Sequence, residues 1–328
     1  MAGGGATTAG RSDLVGLALV VASALSYSTL GIFGKIAYAE GLTLRSLLAT
    51  RFTIAAAALW CGVALLPGLR GAARRLPASA AVALLLWGVL GFAAQSALFF
   101  SALERISASL AIVLLYTCPA FLAILLWLTR GRRPARSRLS AIALAMAGTA
   151  LCVGLPAGGG SAAGIALGVL AGFWYAMFAL VMDRLARRCP GTLAATWVIT
   201  GAALTWGAAG LLFGWAPPPT ARAWGAVLGM VTAATLFGFV LYVMGLKRVG
   251  PQAASILSTF EPVGTLALAG FVLGERLAPG QWGGAALIIA AAAILAAISE
   301  PGDRLPPAPA VGPCGSGAAA PGAPAGEV

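Results

Sequence analysis

No histidine occurs anywhere in the 328 residues. That removes His-based catalytic triads, His-ligated metals and His proton shuttles from consideration. Acidic side chains are also scarce, nine against 21 basic ones, and charged residues together make up only 9% of the chain. A soluble domain carries about 25%, so there is too little polar surface here to cover a globule in water. The five cysteines (Cys61, Cys118, Cys152, Cys189 and Cys314) stand far apart, with no Cys-x-x-Cys pair, which argues against a zinc or redox centre. No Gly-x-x-x-x-Gly-Lys-Ser/Thr segment is present, so direct ATP use would need a partner chain. No cofactor and no metal are expected.

What fills the chain instead is apolar: 60% of the residues. A membrane-crossing helix needs about 20 apolar residues, and ten apolar stretches of roughly that size can be read off, eight of them without a charged residue. They are 14–34, 46–66, 78–103, 106–129, 139–155, 162–182, 192–215, 223–246, 252–273 and 282–299. Ala37-Tyr38-Ala39 looks like a signal-peptide cleavage site. The apolar run before it exceeds the 7–15 residues of a signal core, so it is read as a retained first helix. The expected fold is an all-α polytopic membrane protein of ten transmembrane helices, with the lipid bilayer as its main partner. The Gly/Ala/Thr-rich segment 1–12 and the Pro/Ala/Gly-rich segment 300–328 lack large apolar side chains and are expected to be disordered tails.

With a cytoplasmic N-terminus, fifteen of the basic residues fall in inside segments and five in outside ones, Arg51 lying within a span. That bias matches the positive-inside rule and puts both termini in the cytoplasm. It also accounts for the net charge of +12 without invoking nucleic acid. The Ala/Arg/Gly/Pro bias suggests a GC-rich bacterial genome, hence the bacterial cytoplasmic (inner) membrane.

The chain also repeats itself. Shifting residues 103–150 by 143 positions onto 246–293 gives thirteen identities in forty-eight without a gap, against roughly five expected by chance from composition. Leu103-Glu104-Arg105-Ile106 meets Leu246-Lys247-Arg248-Val249, and Pro119 meets Pro262. The shift spans five helices, an odd number, so the second copy enters the membrane upside down. The expectation is two inverted five-helix repeats, residues 13–156 and 157–299, an architecture of many secondary transporters.

Tyr116-Thr117-Cys118-Pro119 and Phe260-Glu261-Pro262-Val263 in helices 4 and 9, Gly274-Glu275-Arg276-Leu277 followed by Gln281-Trp282-Gly283-Gly284-Ala285, and Arg51-Phe52 in helix 2 together resemble the drug/metabolite transporter superfamily, specifically its ten-helix EamA branch. The resemblance covers nearly all of residues 14–299. The first half has Gly131-Arg132-Arg133 where that family often repeats a Gly-Glu-Arg-like turn. The resemblance implies an exporter of small metabolites or amino-acid-like solutes, with a central cavity surrounded by helices 1, 3, 4, 6, 8 and 9.

Two ionisable groups within spans stand out as candidates for proton or charge coupling. Glu261 sits in span nine, where an uncompensated charge is costly and a carboxyl usually faces a cavity or a partner. It reads either as a protonation switch or cation ligand, or as a structural group satisfying backbone donors or Arg51. Arg51 either attracts an anionic substrate or, in the blander reading, snorkels to the interface or pairs within the bundle. Pro119 and Pro262 each remove a backbone hydrogen bond, and the freed carbonyls could line a polar cavity. Further cavity candidates are Tyr27 and Ser28, Gln95, Tyr116, Trp174 and Tyr175, Thr235 and Phe237, and Ser258 and Thr259. Each alone reads equally as packing. Together they suggest a largely apolar pocket for a small, weakly charged or zwitterionic solute.

The weighed functions are therefore a secondary transporter working by alternating access, a channel or non-transporting scaffold, and an intramembrane enzyme. The enzyme reading lacks both histidine and a membrane carboxylate pair, and an enzyme is not expected. Glycine pairs such as Gly164/Gly168/Gly172, Gly210/Gly214, Gly225/Gly229 and Gly280/Gly284 permit close helix approach, within one chain or between two, which leaves a homodimer open.

Overall fold

The structure is a computed structural model. It describes residues 5–103, 105–106, 108–131, 134–153, 161–273 and 278–297. The expected tail 300–328, the turn residues 274–277 and Arg132 and Arg133 lie outside these. The regular elements among the described residues are all helices, with no strand. In order they form α1 (Gly5–Tyr27), α2 (Leu30–Ala39), α3 (Leu44–Leu65), α4 (Pro67–Arg75), α5 (Ala78–Trp87), a π-helix (Gly88–Ala93) and α6 (Ala94–Leu103). Next come α7 (Ala108–Leu115), α8 (Cys118–Arg130), α9 (Arg136–Val153), α10 (Ala162–Ala186) and α11 (Gly191–Phe213). The last are α12 (Ala221–Gly229), a second π-helix (Met230–Phe239), α13 (Val240–Leu257), α14 (Phe260–Leu273) and α15 (Pro279–Ala297). The first helix reaches back to Gly5, into the stretch 1–12 expected to be disordered. Ala6 and Ala9 there are strong helix formers continuing an existing helix.

Among the described residues, seven helical runs are long and apolar enough to cross a bilayer: Leu14–Ala39, Leu44–Leu65, Ala78–Ala102, Leu110–Thr129, Ala162–Ala186, Gly191–Phe213 and Ala221–Leu257. Seven and the ten expected stretches differ for definite reasons. Ala221–Leu257 takes in the expected span 223–246 and the first six residues of 252–273 in 37 residues, about 55 Å of helix against a hydrocarbon core of about 30 Å, and the rest of 252–273 forms the separate 14-residue α14. The 37-residue run bends at Gly250, whose φ of 81° is left-handed and suits only a residue without a Cβ. Pro251 then restarts the helix. The apolar part of α15, Pro279–Leu295, is shorter than the seven, and α9 opens on Arg136 and Arg138.

Breaks punctuate three runs at their hydroxyl residues. Between α1 and α2, Ser28 Oγ donates to Leu25 O (2.5 Å) and Thr29 Oγ1 to Ser26 O (2.8 Å). Between α7 and α8, Thr117 Oγ1 donates to Leu114 O (2.6 Å). Between α13 and α14, Ser258 Oγ donates to Ala254 O (2.9 Å) and Thr259 Oγ1 to Ile256 O (2.6 Å). Lipid offers no donors, so a carbonyl released at a break must be satisfied by the protein. Pro119 and Pro262 fall in the first turn of α8 and α14, where a missing N–H costs nothing. They start new helices rather than kinking continuous ones.

The glycines set the packing. A Cβ on Gly88 would collide with Val198 O, and one on Gly201 with Leu85 O, so α11 and the first π-helix touch backbone to backbone. Gly148 and Gly284 do the same for α9 and α15, a Cβ on Gly148 standing 2.8 Å from Gly284 O. Gly164, Gly168 and Gly172 press on Ile106, Leu114 and Thr117, whereas Gly225 and Gly280 meet open space. The close approaches are thus within one chain. At one end of the bundle polar ties link the two halves of the chain. Glu40 accepts from Thr220 Oγ1 (2.6 Å) and lies 3.6 Å from Arg222, Trp215 Nε1 donates to Thr50, and Ala216 N to Ser46 Oγ (both 3.0 Å).

Overpacking a tight contact costs about 1–3 kcal/mol. Gly201→Ala is expected to lower the melting temperature of the detergent-purified protein accordingly, while Gly207→Ala, whose added methyl meets open space, stays within about 0.5 kcal/mol of the parent or gains. Equal melting temperatures for the two variants would show that α11 does not need this approach.

Candidate functional site

The breaks and both π-helices surround one cavity of about 90 Å³. It is lined by Tyr27, Leu30, Arg51, Phe92, Gln95, Ser96, Phe99, Phe100, Leu115 and Tyr116 from the first half, and by Tyr175, Phe178, Phe239, Tyr242 and Glu261 from the second. Nine of these fifteen side chains are aromatic, and four of the five tyrosines in the chain are among them. The phenylalanines form a connected wall: Phe92 sits 5.5 Å from Phe52, 5.6 Å from Phe178 and 4.5 Å from Phe239, centroid to centroid.

Of the sequence candidates, Tyr27, Arg51, Gln95, Tyr116, Tyr175 and Glu261 come together on this lining. Glu261, in the first turn of α14, accepts a hydrogen bond at Oε2 from Tyr116 Oη (2.6 Å). Its partner is thus the residue at the facing break. Arg51 lines the same cavity, but among the described residues no ion pair joins the two. Arg51 does not snorkel. It is 3% exposed, its Nε donates to Thr235 Oγ1 (2.8 Å) and its guanidinium lies 5.1 Å from the Phe52 ring centroid. Tyr175 Oη donates to Ser258 Oγ (3.2 Å), and the Tyr242 ring lies 6.2 Å from that of Tyr175.

The other candidates stand behind the lining or away from it. Ser28 and Thr259 close carbonyls at the breaks, and Ser258 stands behind Tyr175. Pro262 is buried. Pro119 O accepts from Gln252 Nε2 (3.0 Å), a buried link between the halves. Trp174 Nε1 donates to Leu90 O and Gly91 O (both 3.1 Å), serving carbonyls of the first π-helix. Thr235 is fully buried and holds Arg51. Phe237 is 64% exposed on the outer surface, and its neighbour Phe239 takes the cavity position instead. A π-helix inserts an extra residue and rotates every later side chain of the run about the axis, which a reading at 3.6 residues per turn cannot anticipate.

Sequence reasoning also missed Phe92, Ser96, Phe99, Phe100, Phe178 and Tyr242. A usable signal existed. Phe92, Gln95, Ser96 and Phe99 share one helical face, and Tyr175/Phe178 and Phe239/Tyr242 are i,i+3 pairs.

The repeat extends into the site. The first π-helix, shifted by 143, falls on 231–236, inside the second. Phe99 falls on Tyr242 and Ser96 on Phe239, all four lining the cavity. Gly16-Leu17-Ala18-Leu19 matches Gly164-Ile165-Ala166-Leu167 at a shift of 148, which aligns Tyr27 with Tyr175. The position matching Glu261 is Cys118, fully buried, so the carboxyl is present in one half only.

Removing the Tyr116 hydroxyl deletes a bond to an ionisable group, worth about 1.5–3 kcal/mol when charge is involved. Tyr116→Phe and Glu261→Gln are expected to be non-additive in a double-mutant cycle on unfolding, with a coupling of about 0.5–3 kcal/mol. Additive effects would mean that the contact contributes nothing.

Comparison with known proteins bears on both halves of this arrangement. A family profile described as the EamA-like transporter family matches residues 14–154 and 162–297. An uncharacterized transporter of Synechocystis is 28% identical over 204 residues, 60% of this chain and 61% of that protein, so the alignment spans less than two thirds of that relative. The uncharacterized inner membrane transporter YicL of Salmonella typhimurium is 29% identical over 223 residues, 66% of this chain and 73% of that one. A protein of known crystal structure superposes with a TM-score of 0.73 at 22% identity, covering 88% of this chain and 97% of its own. That last likeness concerns the fold.

Proposed function

The chain belongs to the EamA-like transporter family and is a multi-pass membrane protein, and on that premise we propose that it is a secondary transporter exporting small metabolites or amino-acid-like solutes across the bacterial cytoplasmic membrane by alternating access. The proposed topology is ten crossings arranged as two inverted five-helix repeats with both termini cytoplasmic. The basic bias of fifteen to five, the repeat-equivalent π-helices and the bend at Gly250 within the longest helical run support it. The observation that carries the reading is the cavity itself. Both halves contribute to it, and Glu261 and Arg51 both line it with no ion pair between them among the described residues. Two half-bundles related by inversion can exchange conformations and so expose such a site to either side.

In this mechanism Glu261 carries the coupling proton. In its ionised form it holds the Tyr116 bond, and when protonated it changes the charge of the cavity. Glu261→Gln fixes the uncharged form. It is expected to abolish pH-gradient-driven flux in proteoliposomes while the protein still folds and still exchanges labelled solute by counterflow. Flux with an unchanged pH dependence in that variant would rule out the coupling role. Counterflow that does not saturate in the parent protein would favour a channel.

A further inference from the structure

We propose that Arg51 forms the subsite for the anionic end of the solute, and that the ligand class is a compact monocarboxylate, with Thr235 as the residue that positions the guanidinium. The proposal rests on the reading of the cavity as a substrate cavity.

A guanidinium has five N–H donors. In Arg51 one of them, on Nε, is used by Thr235 Oγ1 at 2.8 Å. The threonine is itself oriented, since its hydroxyl donates to Met230 O (3.2 Å) five residues back, the spacing of the π-helix. Its proton is thereby committed, and a lone pair is left for Nε. Among the described residues no hydrogen bond or ion pair is made by Nη1 or Nη2. The side chain is almost wholly buried, yet it lines the cavity. A cation fixed along one edge, on the wall of an aromatic cavity and with both terminal amino groups unbonded among the described residues, suits an acceptor with two oxygens. A planar carboxylate matches that fork in a bidentate way.

Charge and size narrow the class. One buried cation balances one negative charge. With Glu261 protonated, a monocarboxylate matches Arg51 charge for charge, whereas a phosphate dianion leaves a surplus negative charge beside that carboxyl. A cavity of about 90 Å³ with a largely aromatic wall suits a compact carboxylate, its apolar part against Phe92, Phe99 and Phe239.

The test is saturation-transfer NMR on the detergent-purified full-length protein with propionate, its neutral isostere propionamide and inorganic phosphate as probes. Propionate is expected to bind, propionamide at least about tenfold more weakly, as for loss of a charge-assisted bidentate pair, and phosphate is expected not to compete. Arg51→Gln should reduce propionate binding about tenfold or more, and Arg51→Lys, which keeps the charge but not the fork, several-fold. Thr235→Val should weaken propionate binding about three- to tenfold, and Thr235→Ser should restore it. Equal binding of propionate and propionamide overturns the proposal, as does phosphate competing as well as propionate. Parental propionate affinity in a folded Arg51→Gln protein also overturns it, and where that variant does not fold, parental affinity in Arg51→Lys does so. Parental affinity in Thr235→Val removes the positioning role. Arg51-dependent propionate binding in a protein without solute flux would sink the transport reading and keep the subsite. Saturable flux of a labelled carboxylate undiminished in Arg51→Gln would do the reverse.

Discussion

Every polar backbone group that leaves a helix inside a bilayer must find its partner within the protein. This constraint explains where the chain bends and where it does not. The runs through Tyr27, Tyr116 and Ser258 break at hydroxyl residues, and in each case the hydroxyl closes a carbonyl three or four residues back. α10 runs unbroken from Ala162 to Ala186. The positions there that match Ser28 and Thr29 are Ala176 and Met177, which have no hydroxyl to offer. The two halves share an ancestry visible in sequence, but only the copies that carry serine or threonine can stop a helix in lipid without leaving a bare carbonyl.

The π-helices answer the same constraint differently. A widened turn leaves carbonyls poorly matched, and side chains from elsewhere supply donors, Trp174 to Leu90 and Gly91 and Thr235 to Met230. Thr235 then has acceptor capacity left, and it is spent on Arg51. A local backbone irregularity thus becomes the anchor for the one buried arginine in the cavity wall. The close approach of Gly88 to Gly201 places the first π-helix against α11, so the irregular segment is held by backbone contact as well as by side chains.

Much of this is legible in the sequence because lipid thickness imposes a length and charge imposes a side. The apolar stretches, the repeat and the prolines come from those rules, and Glu261 and Arg51 are conspicuous because charge is rare at that depth. The aromatic wall is not legible. A phenylalanine in an apolar span looks the same whether it faces lipid, core or cavity, and Phe237 and Phe239 exchange places because a π-turn leaves no mark in a hydrophobic pattern. Trp174, Ser28 and Thr259 have the right chemistry and the right depth, but the backbone claims them first. The turn at 274–277 that contributes to the family resemblance lies outside the described residues, so its role rests on sequence alone.

The internal repeat and the placement of charge pull in opposite directions at the cavity. Tyr27 and Tyr175, and Phe99 and Tyr242, occupy matching places, which gives the walls a similar chemistry seen from either half. The charges do not match. Cys118 stands where a second carboxyl would be, and it is fully buried. With a single carboxyl, held by a tyrosine from the opposite break, protonation alters the contact between α8 and α14, the two helices that both begin at the repeat's prolines. The proposed alternating access draws on both features: similar walls for two related conformations, and a single carboxyl by which a proton distinguishes them. An unpaired charge within the membrane is costly, and in the proposed mechanism a solute or a proton arriving at either group shifts the balance between the two conformations.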